Sequence, residues 1–210
     1  RRLSGIIRWC SWGQIVILWS YNLPLDGDTI DMVSSQVKCD SNFDNHFNQY
    51  TTYFSSNRPE YVLKDFYVDV INHCNDHLTM SNRLEWDLSY WMQIYPPDSN
   101  GHHGAHDHYT GDELYSWVHF IKPVKKAFHF LVNGEKVYPE QQNRGDFIAF
   151  PPWALHAVDG NDTNQERVVT AGNVVVKKLI TDHKDGSQLT RVCHTINRDI
   201  RLWENINERK

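Results

Sequence analysis

The chain has 210 residues, 40% of them hydrophobic and 22% charged, and a formal net charge of -5. That length fits one domain with a sizeable core, and the hydrophobic fraction excludes a disordered chain. The mild negative charge leaves no global basic field to recruit nucleic acid or an anionic membrane surface.

The opening segment "RRLSGIIRWCSWGQIVILWS" sets arginines ahead of an apolar run, as a secretory signal does. Arg8, Gly13 and Gln14 break the run, however, and no small-x-small cleavage site follows, so no signal peptide is expected. No stretch reaches the ~18 apolar residues of a membrane span. The four cysteines, Cys10, Cys39, Cys74 and Cys193, are far apart and form no CxxC pair. This argues against a zinc ribbon or a dense disulfide framework, and for reduced thiols in a cytoplasmic protein.

In chain order, "QIVILWSYNL" (14–23) reads as a first strand, and Asp28 to Val37 as a short helix with Asp28 as its cap. Between Glu60 and Leu78 the apolar residues Leu63, Phe66, Tyr67, Val70, Ile71, Cys74 and Leu78 fall at helical spacing behind Pro59. The period then changes to two. "LEWDLSYWMQIY" (84–95) alternates Leu84, Trp86, Leu88 and Tyr90 against Glu85, Asp87, Ser89 and Trp91, as a half-buried strand does. Strands are predicted over 114–121, 127–132, 146–150 and 167–176, with a tight turn at "NGEK" (133–136). Helices followed by antiparallel strands make an α+β chain, mostly β, in which N-terminal helices buttress a sandwich or barrel. We therefore expect a single domain over 1–210. It comprises an N-terminal strand and helices (1–80), a β core (84–180) and a polar tail (182–210), whose "INRDIRLWENINERK" is expected to form a short helix.

The stretch "GHHGAHDHYTG" (101–111) holds four of the 12 histidines within seven positions. Imidazole is the commonest metal ligand, although Gly/His/Asp-rich segments also occur as solvated loops. Downstream, "GDFIAFPPWALHAVDGN" sets His156 at a strand end behind a Pro-Pro turn, and Arg167 opens a strand 11 residues later. Side chains alternate faces along a strand, so Arg167, Val169, Ala171 and Asn173 share one. Burying that arginine is costly without a polar partner, which a ligand carboxylate would supply.

Together these spacings resemble the iron(II)/2-oxoglutarate-dependent oxygenases. "GAHDH", "GDFIAFPPWALHAV" and "ERVVTAGN" are similar to the motifs of the 2-oxoglutarate-iron oxygenases found in phages and marine bacteria. The resemblance covers residues 84–176 and rests most on the spacing from Phe150-Pro151 through His156 and Arg167 to Asn173. It implies a double-stranded β-helix, a jelly-roll or cupin-like barrel with a metal at its mouth. It further implies three protein ligands on one face of Fe(II), Arg167 pairing with the far carboxylate of 2-oxoglutarate, and Asn173 in the same wall. The implied reaction consumes 2-oxoglutarate and O₂, releases succinate and CO₂, and hydroxylates a small-molecule or peptide substrate.

The usual triad of these enzymes has an aspartate two residues after the first histidine, and that register is missing here. An extended strand puts His106, His108 and His156 together and turns Asp107 away; an irregular loop would let Asp107 ligate instead. His102 and His103 read as loop residues, and His119 and His129 as structural histidines within strands. Gln93 and Tyr95 share a strand face and are candidates to line the cofactor pocket. Trp86, Trp91, Trp117 and Trp153 could stack on a substrate, but filling the core is the commoner use of tryptophan. Three alternatives to the oxygenase reading stand beside it: a cupin-like metal-binding module, a three-histidine dioxygenase independent of 2-oxoglutarate, and a zinc hydrolase with Asp107 or Asp112 as base.

Overall fold

A strand that is apolar on both faces must be covered on both, and the long strands of this chain are of that kind. The computed structural model describes residues 17–40, 43–44, 48–55, 59–78, 82–183, 185–197 and 200–208. Its elements begin with β1 (Trp19–Asn22), α1 (Gly27–Asp40), β2 (Phe43–Asp44), β3 (Gln49–Thr51), a 3-10 turn (Pro59–Leu63), α2 (Lys64–Leu78) and β4 (Asn82–Tyr95). They continue with β5 (His103–His106), β6 (Glu113–Lys122), β7 (Phe128–Val132), β8 (Glu135–Val137), β9 (Asp146–Phe150) and β10 (His156–Val158). The chain closes with β11 (Arg167–Asp182), β12 (Gln188–Asn197) and β13 (Ile200–Glu208).

The strands form two sheets, and every pairing is antiparallel. The larger runs β1-β9-β6-β11-β4-β3-β2, with β12 on β11 and β13 on β12; the smaller runs β5-β10-β7-β8. Alternation divides the large sheet between two cores. Tyr90, Met92, Trp117, Phe147 and Val174 pack with Val33 and Val37 of α1 and with Tyr67, Ile71 and Cys74 of α2. The intervening residues Tyr95, Val118, Phe120, Phe150 and Val169 pack with Phe128 and Phe130 of the small sheet. The helices thus buttress the large sheet from behind, and the small sheet closes its front.

Several expectations are refined. The first helix begins at Gly27, and its cap is Asp26 rather than Asp28: the Asp26 carboxylate accepts the Thr29 N–H at 3.0 Å. The turn at 133–136 is a two-residue hairpin, with positive φ at Asn133 (52°) and Gly134 (84°), joining β7 to β8. The expected C-terminal helix is overturned. β11 runs six residues past Val176, and its free edge from Lys178 to Asp182 is taken up by β12, which β13 pairs in turn. Backbone groups on that edge need partners, and satisfying them outweighs the weak helical preference of the tail. Of the expected first strand, residues 17–18 precede β1, and 14–16 lie outside the described residues. Cys39, Cys74 and Cys193 form no disulfide, and Cys10 lies outside the described residues. Among the described residues no helix is long and apolar enough to cross a membrane.

His119 is a structural histidine, as expected, and its tautomer is fixed from both sides. Its Nε2–H donates to the Leu23 carbonyl at 2.9 Å, and Nδ1 accepts from the Tyr67 hydroxyl at 3.1 Å. Burial pushes its pKa down from 6.5 to about 4. The unfolded chain therefore takes up a proton below about 6.5 and the folded chain does not until about 4. The contribution to stability is complete above that window and is lost as pH falls through it. We predict a loss from this residue on the order of 3 kcal/mol between pH 7 and pH 4. Urea unfolding of wild type and His119→Gln isolates it: the variant is weaker at pH 7 and has a flatter pH slope. Parallel slopes would contradict the assignment.

Gly172 sits where β11 passes closest to its neighbours. A Cβ there would lie 2.6 Å from the Ser89 carbonyl oxygen and 2.7 Å from atoms of Trp117 and Tyr90. Gly172→Ala is predicted to lower stability by about 1–3 kcal/mol, read as a shifted urea midpoint at unchanged m-value.

Candidate metal centre

β5 and β10 are neighbours in the small sheet, and their register sets His106 directly opposite His156. The "FPPW" segment makes this possible: the Ala154 N–H closes the turn on the Pro151 carbonyl at 3.0 Å and delivers His156 to the start of β10. His108 follows two residues after His106, on the same side, and its N–H is held by the Pro152 carbonyl at 2.9 Å. The three rings converge, with centroids 4.4 Å apart for His106 and His156, 5.0 Å for His106 and His108, and 5.1 Å for His108 and His156. Their ligand nitrogens all lie within 4.8 Å of one another.

Two of the rings are oriented by their own backbone. His106 Nδ1–H donates to the Gly104 carbonyl at 2.8 Å and His156 Nδ1–H to the Ala154 carbonyl at 2.8 Å. Each Nε2 lone pair is thereby left for a metal, the tautomer that a ligating histidine needs. Burial, with the His106 ring adding to it, lowers the His108 pKa to about 4 and the His156 pKa to about 3. Both are therefore neutral near pH 7 and able to ligate. Asp107 is exposed, its carboxylate accepts the Tyr109 N–H at 3.1 Å, and it lies outside the histidine group. β5 ends at His106, so His108 joins the group from just beyond the strand, and Asp107 does not belong to it.

Arg167 opens β11 on the facing sheet and is 2% exposed. Its guanidinium stacks 4.0 Å from the Tyr95 ring centroid, and Nη2 donates to the Asp159 carbonyl at 2.8 Å. Nε and Nη1 are buried with no hydrogen-bond partner. Val169 and Ala171 continue the same face, and with Arg167 and the three histidines they line one chamber between the sheets. Gln93 lines it too, and its Oε1 accepts from the Tyr95 hydroxyl at 3.3 Å. Asn173 shares the parity but lies deeper along β11. Its Oδ1 accepts from Ser116 at 2.8 Å, and it is not among the described residues of the chamber wall.

His103 is a correction. Expected in a loop, it belongs to β5 and lines the chamber, its ring centroid 5.6 Å from that of His106. Gln93 Nε2 and the Tyr95 hydroxyl approach its Nδ1 at 3.4 and 3.3 Å, and Gln49 Nε2 lies 3.4 Å from its Nε2. The cause is a β-bulge: His106 faces His156 while His103 faces Val158, three residues against two. The extra residue reverses parity, so positions 103 and 106 point the same way. His102 remains exposed, as expected. His129 is buried outside the site, its Nδ1–H donating to the Ala127 carbonyl at 3.2 Å. Of the tryptophans, Trp91 lines the chamber, Trp117 is buried on its boundary with the core, Trp86 packs against the core and Trp153 is 63% exposed.

No protein-family model matches this chain, and no curated protein matches it. Solved structures do. A prolyl-4-hydroxylase of Pseudomonas putida aligns over 74% of this chain and 91% of its own, with 14% identity and a TM-score of 0.52. A non-haem alpha-ketoglutarate-dependent epimerase of nogalamycin biosynthesis aligns over 77% and 78%, with 12% identity and a TM-score of 0.51. A Trichoplax adhaerens prolyl hydroxylase, solved with a peptide of hypoxia inducible factor, aligns over 74% and 82%, with 11% identity and a TM-score of 0.50. At such identities the likeness is one of fold. The chain has the double-stranded β-helix architecture of the 2-oxoglutarate-dependent oxygenases.

Proposed function

We propose that the protein is an Fe(II)- and 2-oxoglutarate-dependent oxygenase that hydroxylates a small-molecule or peptide substrate, with release of succinate and CO₂. The observation that carries this reading is Arg167, a buried cation with two unanswered N–H donors, in the wall of the chamber that the three histidines border. A buried guanidinium fork without a partner is costly, and a carboxylate of 2-oxoglutarate answers it bidentately. In this reading His106, His108 and His156 would hold the iron, His106 and His156 through Nε2. Iron, 2-oxoglutarate and O₂ supply the oxidising chemistry; the chain supplies orientation and a dry wall.

The chain's own groups divide the remaining work. Tyr95 supports the guanidinium from below, the Asp159 carbonyl fixes its direction, and Gln93 and His103 form a polar strip beside the histidines. Val169, Ala171 and Phe150 keep water from the co-substrate. A three-histidine dioxygenase independent of 2-oxoglutarate would leave the Arg167 donors without a counter-charge. A hydrolase is disfavoured by its missing base. Asp107 is exposed, and Asp112 is buried beside Cys193, whose thiol donates to it at 3.3 Å.

Two experiments test this. His156→Ala and His108→Ala are each predicted to abolish Fe(II) or Mn(II) binding by calorimetry while the far-UV circular dichroism is kept. Asp107→Asn should weaken it at most by the ~10 to 100-fold of an outer-shell loss. A metal-loaded His108→Ala beside a metal-free Asp107→Asn would overturn the three-histidine set. In the Mn(II)-loaded protein, Arg167→Ala is predicted to weaken 2-oxoglutarate about tenfold or more, with Arg167→Lys recovering part of it. Equal affinity in wild type and Arg167→Ala would remove the 2-oxoglutarate assignment.

A further inference from the structure

The histidine group borders a second space, and one wall of that space is an open sheet edge. Trp91, Gln93, His103, His106 and His108 line both the inner chamber and an outer cleft. The cleft measures about 410 Å³, within the ~300–1,000 Å³ of ligand pockets. Gly104 and Ala105 of β5 line it too, and both are exposed.

β5 ends the small sheet, and among the described residues it pairs with β10 alone. The ladder settles where its backbone groups point. Between β7 and β10 the Leu131 N–H donates to the Leu155 carbonyl at 2.9 Å, which makes Phe130 and His156 a pair without mutual hydrogen bonds. The His156 N–H and carbonyl therefore turn to β5, where His106 stands opposite. By the same alternation Ala157 serves β7 and has no backbone group to offer β5. Gly104 and Ala105 both stand against Ala157 at the bulge, and the backbone of Ala105, next to His106, points to the open edge.

Across the cleft stands β3. Its Gln49 is 1% exposed, with Nε2 3.4 Å from His103 Nε2, and its Oε1 is a buried acceptor with no partner. In the same wall Tyr53 stands edge-on to Trp91 at 4.9 Å, and Phe54 edge-on to Tyr53 at 4.8 Å. These two rings are 48% and 80% exposed. A purely apolar occupant would cover the rings, strip water from the polar groups of both walls and return nothing. An extended peptide answers all three features: its main chain continues the sheet, an amide N–H meets Gln49, and its side chains cover the rings. Opposed residues of neighbouring strands share a face, so the residue opposite His106 would present its side chain on the face of the histidine group.

We propose that the outer cleft takes an extended peptide segment that adds as a strand to the free edge of β5, with the residue opposite His106 presented to the metal centre. That the segment is a substrate rests on the oxygenase reading above. That it binds as a strand does not, because edge and cleft belong to the chain itself.

The test begins with random linear peptides of about ten residues, enough for one strand, displayed on their own mRNA. They are panned on metal-free protein and on protein loaded with Mn(II) and 2-oxoglutarate without oxygen. Enriched sequences are then made with acetyl and amide caps and titrated by calorimetry. The loaded protein is expected to enrich peptides. Methylating one backbone nitrogen at a time should weaken them about tenfold or more at every second position of the central stretch, and about twofold or less between, because alternate N–H groups of a strand face its neighbour. Ala105→Pro removes the edge N–H and Gln49→Met the side-chain amide. Each is expected to weaken the peptide about threefold or more, with Mn(II) and 2-oxoglutarate affinities unchanged. The methylation series uses the wild-type protein, so it stands whether or not Ala105→Pro folds.

No enrichment over bare resin, methylation effects without the alternation, or wild-type affinity in both variants overturns the proposal. So does a dimer in sedimentation that Ala105→Pro dissolves, which gives the edge to a second copy of the chain. Alternating peptide binding in protein that takes neither Mn(II) nor 2-oxoglutarate keeps the strand site and removes the oxygenase reading. Mn(II) and 2-oxoglutarate binding without peptide removes the strand site alone.

Discussion

The two sheets are held together by a layer of phenylalanine rings, and the candidate site depends on that layer. Phe128 and Phe130 from the small sheet meet Phe150 from the large one at centroid distances of 5.5 and 5.2 Å. The His156 ring rests on the same layer, 5.1 Å from Phe150 and 5.4 Å from Phe128. Close-packed rings permit little adjustment, so the separation between the histidines on one sheet and Arg167 on the other is set by core packing. The chamber between them exists because the aromatic layer ends there.

Burial does different work in two sets of histidines. His119 is as deeply buried as His156, yet both of its nitrogens are used internally, by Leu23 and Tyr67. His106 and His156 spend one nitrogen on their own backbone and keep the other for the cluster. The pKa is depressed at His119 and at His156 alike, since burial disfavours charge wherever it happens. Geometry separates a metal ligand from a structural histidine here; protonation does not.

Arg167 ties the site to the outer surface. The residue whose carbonyl orients its guanidinium, Asp159, holds Lys136 at 2.7 Å through its carboxylate and also accepts from Tyr138. The β7–β8 hairpin therefore braces the loop that aims the arginine. The loop is held by charge and hydrogen bonds at its rim, whereas the histidines are held by packing beneath them.

The long strands, the alternation within them and the pairing of a histidine cluster with His156 and Arg167 were legible in the sequence, because each depends on local spacing. Side-chain parity along an extended chain brings His106 and His108 to one side whatever surrounds them, and the turn at Pro151-Pro152 marks where a strand restarts. Parity failed at His103, where a bulge that only strand pairing creates inserted one residue and reversed it. Spacing also misjudged the tail, whose hairpin answers the open edge of β11, and the cap of α1, where Asp26 and Asp28 compete two residues apart. The sequence by itself determined which residues share a strand face, since that follows from bond geometry within one segment. Only the tertiary structure decided which faces meet and which charges share a cavity, since those follow from how segments distant in the chain satisfy one another's backbone and fill one another's gaps.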